Sequence, residues 1–418
     1  MDWLVTGYWA MIAAATLFSA LLTWQAFEHR RYARSRAKHT VSPGLNRHIA
    51  LFVPCKGHDD DLAENLRPLF EQEQCSYELV FVVESDHDPA AAIIRRMMNE
   101  YGGVRSKLIV AGLAVDSGQK VHNLLAATAA IPTEAGVLAF VDADVRPPHD
   151  WLRRLTSRLH NFPVTTGYRY FMPKSQTFAN LVLASLNGSI IPIMFPGKHH
   201  LIWGGSWAIS REVFIASGLR DEWRGTLSDD LIATRTMARL QHRVSAEPMC
   251  ILPSPLEVDI RGMLSFVRRQ LVIGRCYTPV HWYALLVGSA LLQLTLWGSL
   301  LAALGGALGG AGWAIQPAVA FGVLYALHWK RARLRHAACR LYLPTRQAEL
   351  KAVHRFDALL GPIAGTVGLV GLLASGITRR IVWKGIAYDM RPGGTLSKIE
   401  RQDSTPPNLQ NSSARRAA

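Results

Sequence analysis

Missing first is any cysteine pair at metal-ligand spacing: Cys55, Cys75, Cys250, Cys276 and Cys339 are scattered along 418 residues, as expected of reduced thiols. The His-rich ligand sets of two-metal hydrolytic sites are missing too, which argues against metal-dependent phosphate-ester hydrolysis. Acids are scarce beside bases, 31 against 46, giving a formal charge of +15. That surplus invites a nucleic-acid reading, but the recognition motifs are lacking, so no nucleic-acid partner is expected. Much of the excess flanks apolar runs, where anionic headgroups accommodate it. Basic residues are lacking ahead of the first apolar run, which opens near Asp2 and has its basic cluster behind it. That order predicts a membrane anchor rather than a secretory signal.

Long apolar runs are present. Tyr8 to Phe27, Tyr283 to Leu304, Ala311 to Leu327 and Leu359 to Ile377 are nearly free of charge and near the roughly 20 residues that cross a bilayer. The third is short and holds Gln316 and Pro317, so a buried hairpin stays open there. "EHRRYARSRAKH" after the first run and "HWKRARLRH" after the third predict cytoplasmic exits. "ITRRIVWKG" after the fourth conflicts with simple alternation: either the last run re-enters, at the "GPIAG" break, or the charge rule fails. The expected organisation is an anchor over residues 1–30, a cytosolic unit over 45–282, a membrane region of about three segments over 283–390, and a disordered tail over 391–418.

Between the first two runs, "HIALFVPC", "YELVFVVES", "SKLIVAG" and "GVLAFVDAD" are short, apolar and rich in strand formers. "DLAENLRPLFEQ", "AAAIIRRMMNEY" and "KVHNLLAATAA" alternate with them as amphipathic helices. This order predicts an α/β unit with a mostly parallel, Rossmann-like sheet, whose ligands sit beyond the carboxyl ends of the strands. "DAD" falls at such an end, with "ESDHD" at another. In an extended strand residues two apart share a face, so Asp142 and Asp144 can address one hard divalent cation completed by substrate phosphates. A turn or a helix cap is the alternative. Asp229 and Asp230, in "RGTLSDDLIATRTMARL", open an amphipathic helix, either as a capping pair helped by Ser228 or with one carboxylate as general base. In "IWGGSWAIS", Gly204 and Gly205 allow close backbone approach beside Trp203 and Trp207, whose ring faces suit sugars or lipid, a tight turn within the core being the alternative. "SLNGSIIPIMFPGKHHLIW" is either an interfacial surface for lipid or a buried helix. Arg268, Arg269 and Arg275 serve positive-inside anchoring or grip a diphosphate at the membrane edge.

Taken in order, "PCKGHDDDL", "SDHDPA", "VDADVRP", "GGSWAISREVF", "LSDDLIATRTM" and "RRQLVIGRCY" resemble the family 2 type glycosyltransferases of GT-A fold, above all membrane-bound ceramide glucosyltransferases and their bacterial relatives. The likeness covers roughly residues 45–285. It implies inverting transfer of a hexosyl unit from a nucleotide diphosphate sugar, a UDP-sugar first, to the hydroxyl of a membrane lipid such as ceramide, with Mg2+ or Mn2+. It implies Asp230 as catalytic base, Asp142 and Asp144 at the metal, and Asp88, Asp142, Lys120, Gly205, Trp207, Gln270 and Arg275 at the substrates. It also implies an integral protein of a bacterial inner membrane with its catalytic domain in the cytoplasm. The closing (Q/R)xxRW pattern departs: Arg275 is followed by Cys276 and Tyr277, Val272 takes the polar position, and Gln270 stands in a shifted register. A polysaccharide synthase-like enzyme and a non-catalytic membrane protein of the same build are the alternatives.

Overall fold

The computed structural model describes residues 2–39, 47–57, 61–195, 197 and 200–401. Chain order runs α1 (Asp2–Lys38), β1 (His48–Pro54), α2 (Leu62–Phe70), β2 (Tyr77–Val83), α3 (Pro89–Glu100), β3 (Ser106–Val110), α4 (Gln119–Ala129), β4 (Ala135–Val141), α5 (Trp151–Thr156) and β5 (Val164–Pro173). It continues through α6 (Phe178–Ile190), β6 (Ser206–Ser210), α7 (Arg211–Ala216), α8 (Leu219–Glu222), α9 (Asp229–Arg239), β7 (Val244–Leu256), α10 (Ile260–Tyr277), α11 (Pro279–Leu308), α12 (Ile315–Tyr342) and α13 (Lys351–Ile377). Three short strands close it: β8 (Arg380–Trp383), β9 (Ile386–Met390) and β10 (Leu396–Arg401).

The unbroken apolar runs of β1, β2 and β4 follow from burial on both faces. Ala50, Phe52, Val80, Val82, Leu138 and Phe140 enter one core with α4 and α9. Their neighbours Ile49, Leu51, Val53, Leu79, Phe81, Val137 and Val141 enter the other, with α2, α3 and α5. The seven-stranded sheet has the order β3-β2-β1-β4-β6-β5-β7. Strands β3, β2, β1 and β4 pair in parallel, as do β5 and β7, whereas β6 is antiparallel to both neighbours. The expected mostly parallel sheet is therefore present. The chain leaves β1 toward β2 and returns with β4 on its other side. The crevice beyond β1 and β4 is thus the switch point where such sheets bind ligands.

The helices Val5–Lys38, Pro279–Leu308 and Lys351–Ile377 are long and apolar enough to cross a membrane. The run Ala311 to Leu327 falls mainly on α12, which is helical but turns basic along its second half. Helix α12 lies along α1, with the Arg331 guanidinium donating to Ser19 Oγ at 2.7 Å. The middle of α13, interrupted by Pro362, reaches α11 and α12: Trp297 Nε1 donates to Thr366 Oγ1 at 2.9 Å, and Tyr325 Oη to the Leu359 carbonyl at 2.9 Å. Both its ends return to the α/β unit. Phe356 enters the core shared with Tyr170 and Val182, and Ser375 Oγ accepts from Trp282 Nε1, just past α10, at 3.0 Å. "ITRRIVWKG" lies against the α/β unit, with Ile381 in the core beside α4 and α9.

Two expected boundaries need correction. Residues 380–401, assigned above partly to the membrane region and partly to a disordered tail, form an antiparallel sheet of order β10-β9-β8. Ile381, Ile386, Tyr388 and Met390 join the core beside α4 and α9. Residues 402–418 of the expected tail lie outside the described residues, as do parts of "PCKGHDDDL" and "SLNGSIIPIMFPGKHHLIW".

The last turns of α1 leave the bundle and fasten to β7. Tyr32 Oη donates to the Ala246 carbonyl at 2.7 Å, and Arg36 pairs with Glu247 at 2.7 Å, the Glu247 side chain being 2% exposed. Removing one partner strands a buried charge. Arg36→Met should cost about 3–5 kcal/mol, and adding Glu247→Gln should recover most of it. Unfolding midpoints in detergent for the single and double variants measure both effects.

Candidate active site

A cavity of about 520 Å³ opens at the switch point. One wall comes from the strand ends: Cys55 and Lys56 after β1, and Asp142, Ala143 and Asp144 after β4. A second comes from the start of α9, with Asp229 and Asp230, and a third from α10, with Phe266, Arg269 and Gln270. Ile190, at the end of α6, and Ile193 and Met194 just after it add apolar lining.

Lys120, in the first turn of α4, is the centre of the charge arrangement. Its Nζ lies 2.8 Å from Asp142 Oδ1 and 3.2 Å from Asp229 Oδ1, and donates to the Gly204 carbonyl at 3.3 Å. Burial alone would lower this ammonium, but the neighbouring Asp142, Asp229 and Asp230 raise it above its ordinary value. Burial likewise pushes Asp142 up, and Lys120, Arg169 and Lys384 outweigh it, leaving that carboxyl lowered. Asp229, 2% exposed, goes the other way, pushed up to about 7 by burial and the charges of Asp230 and Asp142, against Lys120. Its Oδ2 is buried without a hydrogen-bond partner.

Asp230 begins α9 with Asp229, because Ser228 caps the helix by accepting from the Leu231 amide. Its Oδ2 accepts from the Gly204 amide at 2.9 Å and its Oδ1 from the Leu231 amide at 2.8 Å. Both carboxylates line the cavity, but Asp230 is the more exposed of the two, Asp229 being 2% exposed. Gly204 sits where both helix-start carboxylates converge: a Cβ there would lie 2.9 Å from Lys120 Nζ and 3.1 Å from each Oδ2. At Gly205 a Cβ would come within 2.6 Å of Asp142 Oδ2 and closer still to the Trp203 ring. The close approach expected of this pair is needed.

Asp144 stands at the edge of the cluster. Its Oδ2 is 3.4 Å from Arg169 and its Oδ1 is buried and unpartnered. Burial and the Asp142 charge raise it, against Arg169. The Arg169 guanidinium lies over the rings of Phe171, Phe266 and Trp203 at 4.6, 5.5 and 5.6 Å. Arg269 lies over Phe266 and Trp383 at 5.2 and 5.4 Å, and burial beside Arg169 lowers it to about 10. Among the described residues no group of three or more His, Cys, Asp and Glu side chains could hold a metal ion by itself. Mg2+ and Mn2+ need less, since one or two carboxylates suffice when phosphates and water complete the shell. The free Asp144 Oδ1, two residues from Asp142, fits that demand.

The structure thus gathers Asp142, Asp144, Asp230, Lys120 and Gln270 at one cavity, with Gly205 buried behind Asp142 and Trp203, and sets three expected residues apart. Asp88 caps α3: its Oδ1 accepts from the amides of Gly57 and Ala90 at 2.8 and 2.9 Å, fastening the loop after β1. Trp207 is not a substrate platform. Strand alternation turns it into the core, fully buried and stacked 4.3 Å from Phe140, while Trp203 of the same motif lines the cavity. Arg275 is not at the cavity either, since it donates to the Gly376 and Thr378 carbonyls and ties α10 to the end of α13. Sequence reasoning passed over Arg169, in a strand it did not assign, and Trp383 and Lys384, in a sheet it did not expect.

The family model of glycosyl transferase family 21 matches residues 7–396. Ceramide glucosyltransferase 3 of Caenorhabditis elegans is 30% identical over 101 residues, 23% of this chain and 21% of that protein. Ceramide glucosyltransferase 1 of the same organism is 25% identical over 131 residues, 30% of this chain and 28% of that one. The matches thus span less than a third of either relative. Among solved structures, the mannosyltransferase PcManGT from Pyrobaculum calidifontis in complex with GDP-Man and Mn2+ aligns with a TM-score of 0.46 at 16% identity, over 88% of this chain and 98% of that one.

The raised Asp229 has a pH consequence. Its folded-state value, about 7, exceeds the ordinary 3.8, so the folded protein holds this proton more tightly than the unfolded chain does. The stabilisation is present below about pH 4 and is withdrawn as pH climbs through about 7. Unfolding midpoints should therefore fall more steeply across that window in the wild type than in Asp229→Asn, whose profile should be flatter.

Proposed function

The chain belongs to glycosyl transferase family 21, and from that premise we propose that it transfers a hexosyl unit from a nucleotide diphosphate sugar, a UDP-sugar first, to the hydroxyl of a membrane lipid such as ceramide. The observation that carries the proposal is the cavity's mixed lining. Asp142, Asp144, Asp230 and the cations around them line it together with the apolar Ile190, Ile193, Met194 and Leu271. Leu271 also lies against the apolar helix α13, its Cδ1 being 3.2 Å from where a Cβ on Gly371 would stand. A lipid hydroxyl and a charged sugar donor need those two environments within reach of one base. The ceramide glucosyltransferase relatives support the lipid class.

In this reading Asp230 accepts the proton of the acceptor hydroxyl. The hydroxyl oxygen attacks the anomeric carbon from the face opposite the diphosphate, the bond to the diphosphate breaks, and one displacement inverts the configuration. The amides of Gly204 and Leu231 hold the carboxylate in place. Asp229 is a positioning residue, keeping Lys120 between itself and Asp142. Arg169 and Arg269 face the negative charge that grows on the leaving diphosphate. Asp142 and Asp144 would hold Mg2+ or Mn2+, which when bound neutralises part of that charge. The basic residues flanking the membrane helices support a cytosolic catalytic side.

The test is purified full-length protein in detergent with Mn2+, a panel of UDP- and GDP-sugars and lipid extracts, with products read by mass spectrometry. A glycolipid one hexose heavier than its acceptor is expected. Asp230→Asn should lower turnover roughly 10²- to 10⁴-fold while binding nucleotide as the wild type does. Products lengthened by many sugars, or full turnover by Asp230→Asn, would overturn the proposal.

A further inference from the structure

The short sheet formed by β8, β9 and β10 packs against the parts of the α/β unit that carry the site. Tyr388 Oη accepts from the Gln119 amide at 3.3 Å, at the start of the helix that bears Lys120. Arg401 donates to Gln119 Oε1 at 2.6 Å. On the other side the sheet holds the loop leading to Asp229 and Asp230. The Leu396 amide donates to the Gly225 carbonyl at 2.8 Å, and Tyr277 Oη bridges the Leu227 amide and the Gly394 carbonyl at 2.7 and 2.5 Å.

Between these attachments the β8–β9 hairpin points at the cavity. Its two turn residues, Lys384 and Gly385, have φ of +46° and +75°, the pair of left-handed conformations that a tight two-residue hairpin requires. The turn brings Trp383 and Lys384 into the cavity lining. Lys384 Nζ donates to the Lys56 carbonyl at 2.9 Å, just past β1 and beside the strand end that carries Asp142. The cations of the site differ in their partners. Lys120 serves Asp142 and Asp229, and Arg169 serves Asp144. Among the described residues Lys384 makes no ion pair with a carboxylate: its Nζ hydrogen-bonds a neutral carbonyl while its charge acts on Asp142 and Asp144 from a distance, so it can take up an incoming anion.

We infer that this sheet is a wall of the donor site and that Lys384 supplies a cation to the diphosphate of the nucleotide sugar, an inference that rests on the transfer proposed above. On donor binding the ammonium exchanges the Lys56 carbonyl for a phosphate oxygen, a charge-assisted bond in place of a neutral one. Trp383, under Arg269, fixes the hairpin tip beside a second cation.

The test is titration calorimetry on full-length protein in detergent with Mn2+, comparing UDP with UMP and GDP with GMP. Lys384→Asn suits the left-handed turn conformation and leaves the fold intact, as an unchanged unfolding midpoint would verify. It should weaken the preferred diphosphate about tenfold and the matching monophosphate less than twofold, and Lys384→Arg should restore most of the difference. Equal weakening of both nucleotides, or of neither, would overturn the role of Lys384 while leaving the transfer reading in place. Failure of the wild type to bind UDP or GDP would defeat the transfer reading and this inference together.

Discussion

The site is organised around one ammonium held between two carboxylates. Without Lys120, Asp142 and Asp229 would face each other from the end of a strand and the start of a helix with no counter-charge between them. Unpaired charges shut from water cost several kcal/mol each, and the crevice would open or the acids take up protons. With Lys120 in place, β4, α4, α9 and the turn before β6 meet at a single atom, its Nζ. The missing side chain at Gly204 belongs to the same constraint, since any Cβ would enter the space the three charges share.

The acids are close in space yet differ in environment, which separates their roles. Asp229 is the most buried of them, with one oxygen on Lys120 and the other unpartnered. Asp230 has both oxygens bonded to backbone amides and still reaches the cavity. Asp144 keeps one free oxygen at the edge of the group. Solvent access and the number of hydrogen bonds distinguish three residues that are alike in type.

The α/β unit and the acids were legible because their signals are local. A strand covered on both faces is an unbroken apolar run, and "DAD" falls at the end of one. The misplaced residues depend on information that a single segment does not hold. Trp207 follows two glycines as a sugar platform would, but the pairing of β6 with β4 fixes its parity and turns it inward. Arg275 carries the right charge beside the right motif, and the return of α13 claims it. The closing sheet was hidden because β8 follows directly on an apolar helix and its strands run only four to six residues. Its stability comes from the core of the α/β unit, with Tyr388 and Met390 inserted there.

Strands β8 to β10 also bear on the order in which the molecule is built. Every other wall of the cavity is encoded before residue 280, yet Trp383, Lys384, Ile386 and Tyr388 leave the ribosome only after α11, α12 and α13. A chain halted during synthesis anywhere before them would hold its acids in a crevice lacking one side. Completion of the cavity is thereby deferred until the last apolar helix has emerged.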